Sequence, residues 1–597
     1  VILLVMIVLP LIGAIATATL GGGGGSARTA KLVALLFSLA EFVLAVVLWV
    51  VYRRDQLGAG TAGAPPFRET FSVDWIPSFG VSFSLGVDGI SLVMIALIAL
   101  LVPIVLGASW EERLPEGRTV GGYFALILVL QAAMTGVFAA TDVFLFYVLF
   151  EVMLIPMYFL IGAFGGVRRT YAATKFFLYS LLGGLLMLAS LIGLYVASGN
   201  TPARAGLGGT LDWATLRSLA GQIPESTQLW IFAGFAAAFA IKAPLVPLHT
   251  WLPDAGAEAP VGAGTLLVGV LDKVGTFGFL RICLPLLPLA SSRLAWLFLL
   301  LAVLGILYGA IVAAGQTDLK RFVTYTSIAH FGFICMGVFA FTTQAISGAV
   351  LYMVNHGIAT ALLFLVVGML TARGGSRLVG DYGGVWKVAP LLGGLMLVGA
   401  LATIAVPGTN SFVSEFMVLI GTFTRYPAWA IVGTTGIVLA AVYMLWIFQR
   451  TMTGPVRGAA VLDIGGPEGP ASGSGGLTEQ PQREADDRYG HGGVAVAAPV
   501  GTARGVTTAV RRRFGDLSPR EIGVLTPLVL LVLFLGVYPK PVLDVINPTA
   551  ERTVVDSGHT DPAPRVPAGA AGATGAVTAA ATVRVPAAAV HLEGTGQ

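Results

Sequence analysis

The sequence predicts an all-α polytopic membrane protein of about 14 transmembrane helices, and three observations predict it. Of the 597 residues, 56% are hydrophobic and only 11% are charged, against about 25% charged in an ordinary soluble domain. The mean hydropathy is +0.85. Apolar runs long enough to cross a bilayer, about 20 residues as helix, recur along the chain. The formal net charge of +4 does not point to nucleic acid. The basic residues sit in short loops between apolar runs, where they set membrane orientation.

Spans are expected near residues 1–20, 31–52, 87–109, 121–140, 142–164, 171–197 and 229–254, then 260–284, 295–315, 321–341, 346–371, 389–422, 428–449 and 522–539. The first lacks a basic start and a clear cleavage site, so it reads as a retained helix and not a signal peptide. Gly21–Gly25 follows no strand and reads as a flexible turn, not a phosphate loop. Loops after odd-numbered spans carry more Lys and Arg, among them Arg113, Arg118, Arg168, Arg169, Arg373 and Arg377, than loops after even-numbered ones. Basic residues collect on the cytoplasmic side, so both termini are expected outside.

The organisation follows from these spans. N-terminal helices occupy 1–120, a first five-helix unit 121–284, a second 295–450, and a last membrane helix 521–540. Residues 451–520, rich in Gly, Ala and Pro, read as a disordered cytoplasmic loop, and 541–597 as a disordered low-complexity tail. In each unit the fourth helix is interrupted by proline and carries a charge, Lys242 with Pro244 and Glu415 with Pro407. An odd number of helices per unit places the two in opposite orientation, the inverted-repeat plan of transporters with sites at the midplane.

The chemistry-bearing residues lie within these spans. Lys242 and Lys273 fall near the middle of adjacent spans, where a charge costs roughly 2.5–3.5 kcal/mol and persists only with a partner or a wet cavity. Pro244 and Pro247 follow Lys242 and free backbone carbonyls that protein or water must satisfy. Glu151 is central in FYVLFEVMLIPMYFL. A carboxylate and a lysine in one dry site stabilise each other's charge while desolvation opposes both. Asp272 adjoins Lys273, but neighbouring helix positions point about 100° apart, so the two need not face each other. His330 and His356 lie near the centres of their spans and could relay protons at physiological pH, or serve as neutral buried groups. His249 follows the proline break, nearer the cytoplasmic end. Glu415 is the acidic counterpart of Lys242, or a capping carboxylate for the helix resuming at Ser411. Cys283 and Cys335 stand alone in apolar runs, so no iron–sulfur, haem or zinc site is expected.

Several long motifs in order, AIKAPLVPLHTWLPDAGAEAP, GVLDKVGTFGFLR, GQTDLKRFVTYTSIAHFGF, NHGIATALLF and VPGTNSFVSEF, resemble the antiporter-like proton-pumping subunits of respiratory complex I, the proton-translocating NADH:quinone oxidoreductase, over roughly residues 80–450. The resemblance implies fourteen core helices, two inverted five-helix repeats, broken seventh and twelfth helices, and a midplane axis of Glu, Lys and His. Carried over by position, it implies proton-translocating roles for Glu151, Lys242, Lys273, His330, His356 and Glu415; the residues themselves add His249 and Asp272 as a secondary polar path. It implies partners among the complex I membrane subunits, especially the L and N types, and no cofactor in this chain. Flavin, iron–sulfur clusters and quinone then belong to partner subunits. Glu415 resembles the M-type subunits, since the L and N types and the related sodium/proton antiporter subunits usually have lysine there. Two departures stand out: Gly256 where the family often has histidine, and Asp272 where it has an apolar residue. The alternative readings are a subunit of a multisubunit sodium/proton antiporter and a structural spacer.

Overall fold

The computed structural model describes residues 1–21, 26–58, 65–462 and 514–563. Helices α1 (Ile2–Leu20) and α2 (Ala27–Gly58) form an antiparallel pair. A two-stranded antiparallel hairpin follows, β1 (Arg68–Ile76) and β2 (Val81–Val87), turned at Gly80 with φ 60°. The all-helical expectation omitted it. This stretch alternates polar and apolar side chains, the period of a strand with one wet face. Next come α3 (Gly89–Ala108) and α4 (Val120–Ala139), which pack with α1 and α2.

The fifth expected span is two helices, α5 (Val143–Val152) and α6 (Leu154–Phe164). Pro156 has no N–H for the Val152 carbonyl, which accounts for the interruption at Met153. Asp142 starts α5 by accepting from the amides of Phe144 and Leu145 at 2.8 and 3.1 Å, one of the N-terminal bonds a helix cannot supply itself. Then follow α7 (Arg169–Gly199), a short α8 (Trp213–Leu219), α9 (Glu225–Lys242) and α10 (Trp251–Glu258). The eighth span consists of α11 (Val261–Leu266), α12 (Lys273–Gly278) and α13 (Leu284–Leu286), joined by π-helical turns at Leu267–Leu271 and Phe279–Cys283.

The remainder is α14 (Pro288–Ala314), α15 (Leu319–Val338), α16 (Thr343–Gly374), α17 (Val385–Val388), α18 (Pro390–Thr403), α19 (Asn410–Arg425), α20 (Pro427–Met452), α21 (Pro519–Val537) and α22 (Lys540–Asp556). Among the described residues, ten helical segments are long and apolar enough to cross a membrane, and each matches an expected span. The other four expected spans are the interrupted α9–α10, α11–α13 and α18–α19, and the more polar α15. These four carry Lys242, Asp272, Lys273, His330 and Glu415. Interruption and polarity therefore coincide with the charges the sequence singled out.

At the centre lies α16, a 32-residue helix whose apolar window is wholly buried. It packs on α15, α18, α19, α21 and α22, and on α3 and α11. Helix α22 corrects the reading of 541–597 as a disordered tail. Its stripe of Val545, Ile546, Thr549, Ala550, Thr553 and Val554 is buried against α3 and α16. The reading of 451–520 is corrected at both ends. Asp516 accepts from the amides of Leu391 and Leu392, capping α18, and Ser518 and Glu521 cap each other at the start of α21. The rest of that loop, 463–513, and the tail beyond 563 lie outside the described residues, as does most of the glycine run, 22–25.

Candidate functional site

Lys242 is the last residue of α9, where the helix stops before Pro244. Its ammonium is buried, makes no hydrogen bond, and lies over the rings of Phe150 and Phe176 at 5.0 and 5.6 Å. Such desolvated cation–π contacts contribute about 2 kcal/mol, well short of the hydration lost. The break is held open by Trp251, whose indole donates to the Ile241 carbonyl at 2.8 Å. Glu151 sits on α5 with its carboxylate against Gly184 of α7, where any side chain would collide with it. Lys242 lies over the ring of Phe150, the residue before Glu151, but the two charged groups are not within ion-pair distance, and Glu151 Oε1 has no partner among the described residues. Sequence reasoning expected a pair; the structure holds the two in one region without contact.

Asp272 and Lys273 do face each other, at 2.9 Å and fully buried. The π turn at Leu267–Leu271 ends just before Asp272, whose own backbone is α-helical, so the long lysine side chain spans the step of about 100° between neighbours by bending back. Lys273 also donates to the carbonyl of Val268 within that turn. Gly275, one turn on, lets α12 press on the end of α9; a Cβ there would lie 2.4 Å from the Ala243 nitrogen. The two lysines are therefore carried by elements in backbone contact. From Lys273 the chain continues past Phe331, whose ring lies 5.3 Å from the ammonium and 5.5 Å from the His356 ring.

The His356 and His330 rings are 5.5 Å apart. His330 Nδ1 lies 2.5 Å from the Tyr352 hydroxyl, which donates to Glu415 in a short contact. With its proton directed at Glu415, the tyrosine oxygen accepts from Nδ1–H. Three helices, α15, α16 and α19, thus meet in one buried hydrogen-bonded row. Glu415 is not a helix cap: it is engaged by Tyr352, and α19 begins at Asn410. The restart of α19 is stapled to α16 by a reciprocal pair, Asn355 Nδ2 to the Asn410 carbonyl at 2.8 Å and Asn410 Nδ2 to the Asn355 carbonyl at 3.0 Å. The other imidazole nitrogens, His330 Nε2 and both of His356, are buried without partners.

Sequence reasoning missed Tyr352, although it lies four residues before His356 on the same helix face. It also missed the groups near each face. On one side of the break, Asp254 is held by Lys175 at 2.7 Å and by Arg321, beside His249, which packs on Tyr308 and Tyr325. On the opposite, hairpin face, Arg281 pairs with Asp88 at 2.8 Å, both nearly buried, and its guanidinium stacks on Phe67, Trp213 and Phe277. His249 stays apart from the buried row, and no hydrogen bond reaches either of its nitrogens. Gly256 lies against Thr324, where a Cβ would be 2.4 Å from the methyl group, so a larger side chain there requires Thr324 to shift.

Comparison with known proteins adds to this geometry. The family described as NADH:quinone oxidoreductase/Mrp antiporter, TM matches residues 140–440. The chain is 42% identical over 593 residues to NADH-quinone oxidoreductase subunit M of Mycobacterium tuberculosis, covering 94% of this chain and 95% of the relative. The chain belongs to the NADH-quinone oxidoreductase subunit M family. Another relative of this subunit M family member is NADH-ubiquinone oxidoreductase chain 4 of Arabidopsis thaliana, 32% identical over 88% of this chain and 92% of the relative. Among solved structures, a chain of respiratory complex I from Thermus thermophilus superposes with a TM-score of 0.73 at 29% identity, covering 94% of this chain and all of that one. A chain of the Mrp complex from Dietzia sp. DQ12-45-1b also gives 0.73, at 20% identity over 92% and 97%, a likeness of fold alone. The subunit M assignment agrees with an acid, Glu415, at the twelfth-span position.

Proposed function

We propose that this chain moves protons across a bacterial plasma membrane along its buried Glu–Lys–His row, coupled to electron transfer from NADH to quinone in other subunits. One observation carries the reading: an almost wholly buried row of ionisable groups runs from the break after Lys242, through Asp272, Lys273, His356 and His330, to Tyr352 and Glu415. Buried ionisable groups are costly in a membrane and mark ion paths. The row offers two kinds of step. Between His330 and Glu415 a proton passes along hydrogen bonds: once Nε2 has taken up a proton, the imidazolium Nδ1–H gives to the tyrosine oxygen as the tyrosine gives its own proton to the carboxylate, leaving a neutral imidazole. Between Lys242, Lys273 and His356 the groups are separated, so water must bridge them. The freed carbonyls after Lys242 and after Ile404 supply acceptors for that water.

In this reading the chain crosses the membrane fourteen times, as two inverted five-helix repeats, with both termini outside and the 451–520 loop in the cytoplasm. It docks beside the L- and N-type subunits and holds no redox cofactor of its own. Cys283 and Cys335 are buried on separate elements, and no group of three metal-binding side chains occurs among the described residues. A sodium/proton antiporter subunit is the second reading, with which the Mrp fold likeness is compatible. The test is Lys242→Ala and Glu151→Gln in the intact complex, measured in membrane vesicles at equal complex content. Both variants should assemble and lose most NADH-driven proton translocation. Wild-type pumping by both would remove the row from the mechanism, and sodium-dependent pumping would favour the antiporter.

A further inference from the structure

Glu41 stands midway along α2 and is fully buried, yet among the described residues neither carboxylate oxygen has a hydrogen-bond partner. It belongs to a stripe of buried positions spaced three or four apart, Ala34, Ser38, Glu41, Ala45, Leu48 and Tyr52. The opposite face of α2, with Leu36, Leu39, Val43, Val46 and Val50, is exposed. The carboxyl therefore points into the N-terminal bundle, too far from either helix end to reach bulk water.

The contacts of α1 locate its surroundings. Gly13 of α1 is pressed on Phe37 of α2, and Gly21 lies beside Ala30 of α2 and Gly121 of α4, while Ile7 reaches Gly136 of α4. Counting along these antiparallel registers brings Glu41 level with Pro10 of α1 and within about one turn of Gln131 and Thr135 of α4. Both amide atoms of Gln131 and the hydroxyl of Thr135 are buried and also without partners. Pro10 has no N–H, so the Met6 carbonyl has no helical donor either. Among the described residues no other ionisable side chain faces this place: α1 and α3 carry none, and α4 has only Tyr123, near its other end and turned to Ser109. An unpaired anion cannot be held there, and this many unpaired polar groups at one depth require water to complete them. The level also continues outward from the bundle. Gly136 of α4 packs on Leu149 of α5, at the depth of Glu151, whose carboxylate lies across α5 against Gly184 of α7.

We infer that α1, α2 and α4 enclose a second, hydrated proton-binding site at Glu41, which carries its proton as a neutral acid and exchanges it through Gln131 and Thr135 with the path at Glu151. The exchange rests on the function proposed above; the protonation of Glu41 does not. The experiment is infrared difference spectroscopy of the purified intact complex, wild type against Glu41→Gln. A carboxylic-acid C=O band should be present at neutral pH, shift on transfer to D2O, and be missing from the variant. Glu41→Gln should also lower protons moved per NADH about twofold at normal complex content, with Glu41→Asp restoring part of the loss. A spectrum identical in wild type and variant, or a band that D2O leaves in place, overturns the site. Wild-type pumping by Glu41→Gln overturns its link to the path. If Glu41→Gln does not assemble, Gln131→Leu must slow the D2O shift at least tenfold, and an unchanged shift overturns the proposal. Lys242→Ala measured alongside separates the two readings: normal pumping there removes the path while the Glu41 band stands.

Discussion

Replacing Tyr352 with phenylalanine removes one oxygen from the buried row and leaves the ring that packs beside Phe333 and His356. That oxygen is 2.5 Å from His330 Nδ1 and donates to Glu415. Without it, the approach of imidazole to carboxylate is 3.6 Å, outside the range of a working hydrogen bond. A hydrogen bond to a charged group is worth about 1.5–3 kcal/mol, and each ~1.4 kcal/mol on a barrier is tenfold in rate. Proton transfer between His330 and Glu415 should therefore slow about ten- to hundredfold by the same conversion. The assay uses inverted membrane vesicles driven by NADH, with proton uptake and NADH oxidation recorded together and complex content fixed by immunoblot. Pumping should fall by at least tenfold at normal content, with oxidation falling beside it where coupling is tight. Wild-type pumping, or a loss accounted for by lowered complex content, refutes the reasoning.

Other outcomes follow from the same geometry. Asp272→Leu leaves the Lys273 charge buried without its partner, a change worth about 3–5 kcal/mol. It should lower the thermal midpoint of the complex, and adding Lys273→Leu should recover much of that stability while pumping stays lost. Ser557, a natural choice for labelling the outward tail, is buried. Thr560→Cys is exposed instead, and an impermeant thiol reagent should reach it from outside intact cells while Ser474→Cys stays unlabelled; the reverse pattern sinks the topology. Burial, and then the charge of Arg425, hold His559 below its ordinary value of 6.5, where it stacks on Phe341 at 4.2 Å. The unfolded arm then binds the proton more readily than the docked one, so docking present above pH 6.5 weakens as the pH falls toward the lower folded value. Hydrogen exchange in 540–560 should rise on acidification through that window, and His559→Phe should flatten the dependence.

The breaks were legible because proline leaves no alternative: Pro244 and Pro407 mark where α9 and α18 must yield. Lys242 and Glu415 were legible because a charge inside an apolar run is rare. Tyr352 was not, since a tyrosine in an apolar helix reads as core, and only its spacing from His356 and the facing Glu415 give it a role. The Asp272–Lys273 pair was hidden because the step of about 100° between neighbours says nothing of how far a long lysine side chain bends back. Glu41 carried the same signal as Glu151, a lone carboxylate at mid-span, and went unread because the motifs that drew attention to Glu151 begin near residue 80, beyond its helix. The separation of Glu151 from Lys242 is a matter of which helix faces meet, and depth along a sequence does not determine it. Helix α22 escaped because Pro548 and a polar composition mask its apolar stripe, which has meaning only against α3 and α16.

Helix α22 ties together parts of the chain made long before it. Asp544 meets Arg53 at 3.4 Å, Asp556 meets Arg217 at 2.5 Å, and Thr549 accepts from the Gly89 amide at 3.0 Å. Gly89 leaves the room: a Cβ there would sit 2.0 Å from the Val545 carbonyl. None of these ties can form until the ribosome has passed at least Asp544, after every expected span has been made, and the last waits for Asp556. Throughout synthesis the start of α3 therefore waits with an unpaired amide, and Arg53 and Arg217 wait without their carboxylates. A copy halted after α21 would hold all its membrane helices and still be recognisable as unfinished, because the surface that α22 covers would remain open to a protease or a chaperone.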